Sequence, residues 1–389
     1  MNTPNWYASV MGTGIVATAA ASLPLQVPGL RAFATVVWAL AVLLLLALTA
    51  AALAHRRGHH LDPVMAHFYG APPMALLTVG AGTLLLGRDV IGTRAAVDID
   101  WVLWFAGTLA GLFTAAAIPY LQFTRHPGAD RRPAFGGWLM PVVPPMVSAS
   151  TGALLVPYAP AGQARLTLVL ACYAMFGLSL LASLVIITLI WGALVRQQAG
   201  MVPTLWIGLG PLGQSITAAN LLGGVAGLAL PAPYADALRA FGVLFGVPVW
   251  GFALLWASLA AAVTIRAARD HLPFALTWWS FTFPVGTVVT GTSALALHTG
   301  ADLFRVAAAL FYAGLLAAWA VVAVRTARGV IRGELTSAQG GQVQQVPGHR
   351  LVVAGGPPQP GAGQALGGRD RDAQAAAGLQ VVHAEPLAR

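Results

Sequence analysis

Ten stretches of the chain contain no Asp, Glu, Lys or Arg and are each 19 residues or longer: 1–30, 32–55, 63–87, 101–124, 133–164, 166–195, 197–235, 240–265, 271–301 and 306–324. A helix of roughly 20 apolar residues crosses a hydrocarbon core of ~30 Å, so each stretch predicts one transmembrane helix. The longest, 197–235, is too short for two helices and a turn. The odd and even stretches differ. Spans two (Trp38–Leu53) and six (Leu166–Trp191) are mostly Leu, Val, Ala and Ile without internal proline, whereas span eight carries Pro248 after Gly246. Every odd span opens on an aromatic and meets a Pro or Gly break about five residues later. These pairs are Trp6 with Gly12 and Gly14, Phe68 with Pro72 and Pro73, Trp138 with Pro144 and Pro145, Trp206 with Pro211, and Trp279 with Pro284. The aromatics lie 62, 70, 68 and 73 residues apart, which reads as an internal repeat of five helical hairpins. Broken helices need protein or water around their freed backbone groups. The pattern therefore places odd helices inside and smoother even helices outside, against lipid.

Span nine carries the strongest version of this pattern, WWSFTFPVGTVVTGTS over Trp278–Ser293. A lipid anchor would be filled with Leu and Ile. Here Pro284, Gly286 and Gly291 stand among hydroxyls, and Phe281 and Phe283 bracket Thr282. Proline removes a donor and clashes with the preceding turn, so Pro72, Pro73, Pro144, Pro145, Pro211 and Pro284 are expected to kink their helices, as is the glycine break at Gly12. The polar positions expected to line a path are Ser9, Thr13, Thr78, Ser148, Ser150, Thr151, Gln214, Ser215, Thr217, Thr287 and Thr290. Hydroxyls in membrane helices also bond simply to their own i−4 carbonyl or to a neighbouring helix, and that structural role stays open for each. Phe283, directly before Pro284, is a candidate hydrophobic gate, with plain packing as the alternative.

Composition agrees with the class. Of 389 residues 58% are hydrophobic and 8% charged, with a mean hydropathy of +0.75, against about a quarter charged in soluble domains. The formal charge of +9 would suggest nucleic acid in a soluble chain. Every Lys/Arg position is an arginine, however, and those before residue 333 sit in short loops or just after span ten, so no nucleic-acid partner is expected. Loops after even spans and the stretch after span ten hold eleven arginines, against six after odd spans, which places both termini in the cytoplasm. No basic region precedes the first apolar stretch, so the first span is expected to be retained. The single Cys172 excludes an internal disulfide and is expected to pack as a small hydrophobe. Residues 1–332 form the expected membrane domain. The Gly-, Gln- and Pro-rich residues 333–389 read as a disordered cytoplasmic tail.

No acidic residue lies inside these spans, and His67 and His298 sit near span ends, which disfavours a protein-borne proton relay. A path of hydroxyls, glycines and helix N-termini without acidic rings suits an anion. Gly12-Thr-Gly14, Gly208-x-Gly210 and Gly223-Gly224 lack the Lys-Ser/Thr of a phosphate loop and read as packing positions. Arg88, Asp89, Asp98 and Asp100 form the only candidate charged clump on the outer side, read as a solvated loop. No metal site, cofactor or catalytic residue is expected, and the chain is not read as an enzyme.

The segments MGTGI and WWSFTFPVGT and the five-hairpin pattern resemble the tellurite-resistance/dicarboxylate transporter family. That family includes bacterial TehA, plant slow anion channels, and the fungal malate permease and sulfite pump. The likeness covers roughly residues 4–330, and WWSFTFPVGT is most similar to the sulfite/C4-dicarboxylate branch. It implies an all-α integral membrane fold of ten helices in quasi-five-fold array around a pore in each subunit, usually in a homotrimer. It also implies a pore-plugging phenylalanine at Phe283. Small anions (C4-dicarboxylate, sulfite, nitrate or chloride) and the bilayer are the expected partners, in the plasma membrane. Three readings stay open: a gated pore, an exchange-type or proton-linked carrier, and, remotely, a membrane-embedded lipid enzyme.

Overall fold

In the computed structural model, residues 3–54, 63–125, 134–194, 199–333 and 335 are described. All secondary structure among them is helical. Ten principal α-helices follow the ten charge-free intervals: α1 Tyr7–Ser22, α2 Leu30–Ala54, α3 Ala71–Gly82, α4 Thr93–Arg125, α5 Pro144–Leu155, α6 Gln163–Trp191, α7 Leu209–Val225, α8 Ala232–Arg269, α9 Phe283–Thr299 and α10 Asp302–Ile331. Seven helical stretches are individually long and apolar enough to cross a membrane. The helices of intervals one, five and seven, at 16, 12 and 17 residues, are shorter. A count of ten crossings therefore rests on the place of α1, α5 and α7 in the same ring as α3 and α9, which belong to the longer helical stretches Val64–Ile91 and Leu276–Thr299.

The ring is closed. Helix α1 packs on α3, α3 on α5, α5 on α7, α7 on α9, and α9 back on α1. The even helices sit outside, each in the cleft between two inner ones: α2 against α1 and α3, α4 against α3 and α5, α6 against α5 and α7, α8 against α7 and α9, and α10 against α9 and α1. Burial follows this division. Nearly all of α1, α3, α5, α7 and α9 is buried, while α2, α4, α6, α8 and α10 expose Leu and Val along their outer faces.

Tryptophans lock outer to inner helices. The indole Nε1–H of Trp38 on α2 donates to Thr83 Oγ1 (3.1 Å) just past α3, and that of Trp104 on α4 donates to the Ser148 carbonyl on α5 (2.9 Å). Trp250 on α8 reaches Thr292 Oγ1 on α9 (3.0 Å), and Trp319 on α10 reaches Thr13 Oγ1 on α1 (3.1 Å). The last bond, with Tyr312 O–H to the Val16 carbonyl (3.3 Å), joins the last principal helix to the first. Each satisfies a polar hydrogen that lipid could not.

Each inner α-helix is led in by a 3₁₀ segment: Pro4–Trp6, His67–Gly70, Gly136–Leu139, Ala199–Gly208 and Leu276–Phe281. These five segments contact one another in the same closed order as the helices behind them. Two glycines allow it: a methyl group at Gly136 would overlap the Thr204 carbonyl, and one at Gly70 would overlap that of Met140. The proline breaks are thus helix starts, not bends. Pro72, Pro144, Pro145 and Pro284 fall in the first two positions of their α-helices, and Pro73 and Pro211 are third in α3 and α7. In the first turn a missing N–H costs little. Gly12 lies within unbroken α1, where a Cβ would meet the Trp279 ring at 2.7 Å, so its role there is close packing.

One further expectation is corrected. Helix α4 begins at Thr93, eight residues before the charge-free interval, so Asp98 and Asp100 belong to a helix and not to a loop. Asp98 is exposed, and the Asp89 side chain meets Arg31 at 2.5 Å in solvent. Asp100 is fully buried against Gly80 of α3, and neither of its carboxylate oxygens has a hydrogen-bond partner. An acidic residue does lie within a spanning helix. Cys172 is buried beside Gly152, and the His298 ring nitrogen Nδ1 lies 3.0 Å from the Ala294 carbonyl. Beyond 332 only Gly333 and Leu335 are described, so the expected tail lies outside the described residues, as do Arg56, Arg57, Arg131, Arg132 and Arg196.

Candidate functional site

Two cavities lie inside the ring, and Phe283 lines both. The smaller, about 20 Å³, is a vestibule at the 3₁₀ end. Its walls come from the starts of all five inner helices: Ala8 and Met11, Met74, Val143, Gly210, and Phe283 with Pro284. The larger, a chamber of about 180 Å³, lies further along the same five helices. Phe283 is the first residue of α9 and is 2% exposed. The geometry thus puts one aromatic ring between two spaces enclosed by the same five helices.

The chamber-lining positions recur at helical spacing. They are Ile15, Thr18 and Ser22 on α1; Thr78, Ala81 and Leu85 on and after α3; Val147, Ser150, Thr151 and Leu154 on α5; Gln214, Thr217 and Leu221 on α7; and Phe283, Thr290, Ala294 and Leu297 on α9. Steps of three and four residues keep side chains on one helix face. Among the described residues no charged side chain lines either cavity. The polar groups are Thr and Ser hydroxyls and the Gln214 amide. Gln214 Nε2 donates to Ser150 Oγ, whose own hydrogen goes to the Val147 carbonyl (2.9 Å). The Thr217 and Thr290 hydroxyls meet at 2.8 Å, tying α7 to α9 across the chamber wall.

Of the polar positions expected on a path, Thr78, Ser150, Thr151, Gln214, Thr217 and Thr290 are brought together at the chamber. The others are used elsewhere. Ser9 Oγ donates to the Trp6 carbonyl (2.7 Å) and Ser215 Oγ to that of Leu212 (2.8 Å), both within their own helix starts or turns. Thr13 receives the Trp319 indole, and Ser148 Oγ accepts from Thr108 Oγ1 (2.9 Å) on α4. Thr287 Oγ1 approaches the Leu209 carbonyl (3.1 Å), joining α9 to the start of α7. Thr18 and Ser22 line the chamber without having been singled out. Their signal was spacing, since each continues the face begun by Ile15 at three and seven residues.

Nor do the helix starts leave rows of free donors. Thr282 N–H donates to the Trp279 carbonyl (3.1 Å) and Gly286 N–H to that of Thr282 (2.9 Å), so the 3₁₀ turn takes up groups that a sharp kink would expose. What remains at the vestibule is the convergence of five helix N-termini, whose macrodipoles favour negative charge. At the same end His67 is buried, in contact with Gln122 and parallel to Trp138 at 6.1 Å. Arg325 lies 4.7 Å over the Trp278 ring.

Comparison with known proteins finds the family model of the voltage-dependent anion channels (SLAC1) matching residues 2–327. The chain is 28% identical over 336 residues to the sulfite efflux pump SSU1 of Arthroderma otae, covering 82% of this chain and 88% of that one. The sulfite efflux pump SSU1 of Trichophyton rubrum is 28% identical over 343 residues, with the same coverage of 82% and 88%. An uncharacterized transporter of Methanocaldococcus jannaschii is 26% identical over 357 residues, covering 85% and 94%.

Proposed function

The chain belongs to the voltage-dependent anion channel family, and from that premise we propose that it carries small anions across a membrane through the centre of its helical ring. The observation that supports this most directly is the pair of uncharged cavities, enclosed by the same five helices and separated by Phe283. An anion would gather at the convergent helix N-termini of the vestibule, pass Phe283 when its ring moves, and cross the chamber along the Thr, Ser and Gln214 stripe. Phe283 is the gate in this reading. The 1–332 segment is the permeation domain, with all ten principal helices crossing the plasma membrane and both termini cytoplasmic. The sulfite pumps among its relatives point to sulfite as the first substrate to try, before malate, nitrate and chloride. A homotrimer follows from the family resemblance.

The test is anion uptake into proteoliposomes against protein-free vesicles, with sulfite, malate, nitrate and chloride. Uptake that needs protein and shows a selectivity order is expected. Its absence for every anion, from protein that elutes as a single folded species, would remove the transport reading. Buried Asp100 gives a proton-linked carrier one specific observation in its favour. Saturable counterflow, in place of unitary conductance, would select it.

A further inference from the structure

Most hydroxyl hydrogens in the chamber are already committed. Thr78 donates to the Met74 carbonyl (2.7 Å) and Thr151 to the Val147 carbonyl (2.8 Å). Ser150 does the same at 2.9 Å, so its oxygen can only accept, and the group it accepts from is Gln214 Nε2. That chain of bonds fixes the amide's orientation and leaves Gln214 Oε1 over. This oxygen is buried without a partner, on a side chain that is 5% exposed and lines the chamber. A buried carbonyl oxygen with no donor is costly to keep, and it is satisfied by a ligand that brings a hydrogen of its own. Nitrate and chloride bring none. A singly protonated oxyanion such as hydrogen sulfite does.

Charge points the same way. No Arg, Lys or His lines the chamber among the described residues, so a permeating ion finds no counter-charge there. The cost of taking an ion out of water grows with the square of its charge, which weighs against a dianion far more than against its singly protonated form.

We infer that Gln214 is the specificity-determining residue of this path: its Oε1 accepts the hydrogen of a singly charged oxyanion, favouring hydrogen sulfite over nitrate, chloride and the sulfite dianion. The inference rests on the anion-transport reading above. It places the choice of ion in the chamber, with Phe283 controlling only whether ions pass. The proton travels with the anion and needs no relay along the protein.

Paired uptake of sulfite and nitrate into proteoliposomes tests it, using the full chain and the Gln214→Leu and Gln214→Met variants. The ratio of hydrogen sulfite to nitrate uptake is expected to fall about tenfold in both variants, the loss of one hydrogen bond to a charged group. In the wild type, sulfite uptake measured above and below the second dissociation of sulfurous acid should follow the singly protonated fraction. An unchanged ratio, or an equal loss of both fluxes, would show that Gln214 only supports the fold. Uptake that follows the dianion would overturn the inference even if neither variant folds. No uptake of any anion by the wild type would instead overturn the transport reading itself.

Discussion

Replacing Phe283 by alanine should raise anion flux, and the structure sets the size of the effect. The ring is 2% exposed, with the vestibule on one side and the chamber of about 180 Å³ on the other. Opening by ring movement means giving up the burial of one aromatic side chain, a cost of roughly 1.5–3 kcal/mol. Since about 1.4 kcal/mol is a factor of ten in rate, removing that step should speed permeation roughly tenfold to a hundredfold. Phe283→Leu, which keeps most of the apolar volume, should fall between wild type and Phe283→Ala. The same truncation removes packing, at roughly 3–5 kcal/mol for a ring in a closed core. Phe283 already borders two voids, so its cost belongs at the lower end. Flux and stability thus move in opposite directions, which separates gating from general damage. The assay is nitrate uptake into proteoliposomes at matched protein density, with the thermal midpoint in detergent measured on the same preparations. A Phe283→Ala protein that stays folded and conducts no faster than wild type would refute the gate.

Three further substitutions probe the frame around the path. Gly136→Ala should lower the thermal midpoint or prevent accumulation, because its methyl group overlaps a backbone carbonyl that cannot swing aside; overpacking of this kind costs about 1–3 kcal/mol, and a midpoint equal to wild type would argue against a rigid 3₁₀ ring. Trp256→Phe removes the indole hydrogen bond to the Leu205 carbonyl (2.8 Å) from a fully buried site between α8 and the Ala199–Gly208 segment, and should cost about 1–3 kcal/mol by the same measurement. Asp100→Asn keeps the side-chain shape where both carboxylate oxygens lack partners, so it should leave the midpoint unchanged or higher; a clear drop would mean that the carboxylate is held by an interaction the bare fold does not contain.

The architecture was legible because lipid allows few solutions. Charge-free length marked the helices, and the alternation of interrupted and smooth stretches separated the inner ring from the outer. What the sequence pattern misjudged was the nature of the interruptions. Proline at a break reads equally well as a kink or as the first turn of a new helix, and the deciding fact is what precedes it. Here that is a 3₁₀ segment packed against the next 3₁₀ segment on either side in the ring, a contact between residues far apart in the chain. Asp100 was misplaced for a related reason. The charge-free rule starts a span after its last charge, whereas α4 runs through Asp98 and Asp100 because the cleft beside Gly80 buries one and solvent takes the other.

The same distinction separates the hydroxyls that reached the chamber from those that did not. Hydroxyl content marked the inner helices but not the face of each helix, and an inner helix can carry two polar faces. One receives tryptophan or threonine donors from the outer ring, as Thr13 does from Trp319 and Ser148 from Thr108. The other repeats at three- and four-residue steps together with apolar residues, as in Ile15–Thr18–Ser22, Val147–Ser150–Leu154 and Gln214–Thr217–Leu221. A path for an ion that must shed water but finds no counter-charge needs that mixture, since apolar walls limit hydration while sparse dipoles replace part of it. The useful signal for the site was therefore a mixed polar and apolar stripe in phase with the other four helices. Polar residues considered alone would have pointed as often to the seams that hold the ring shut.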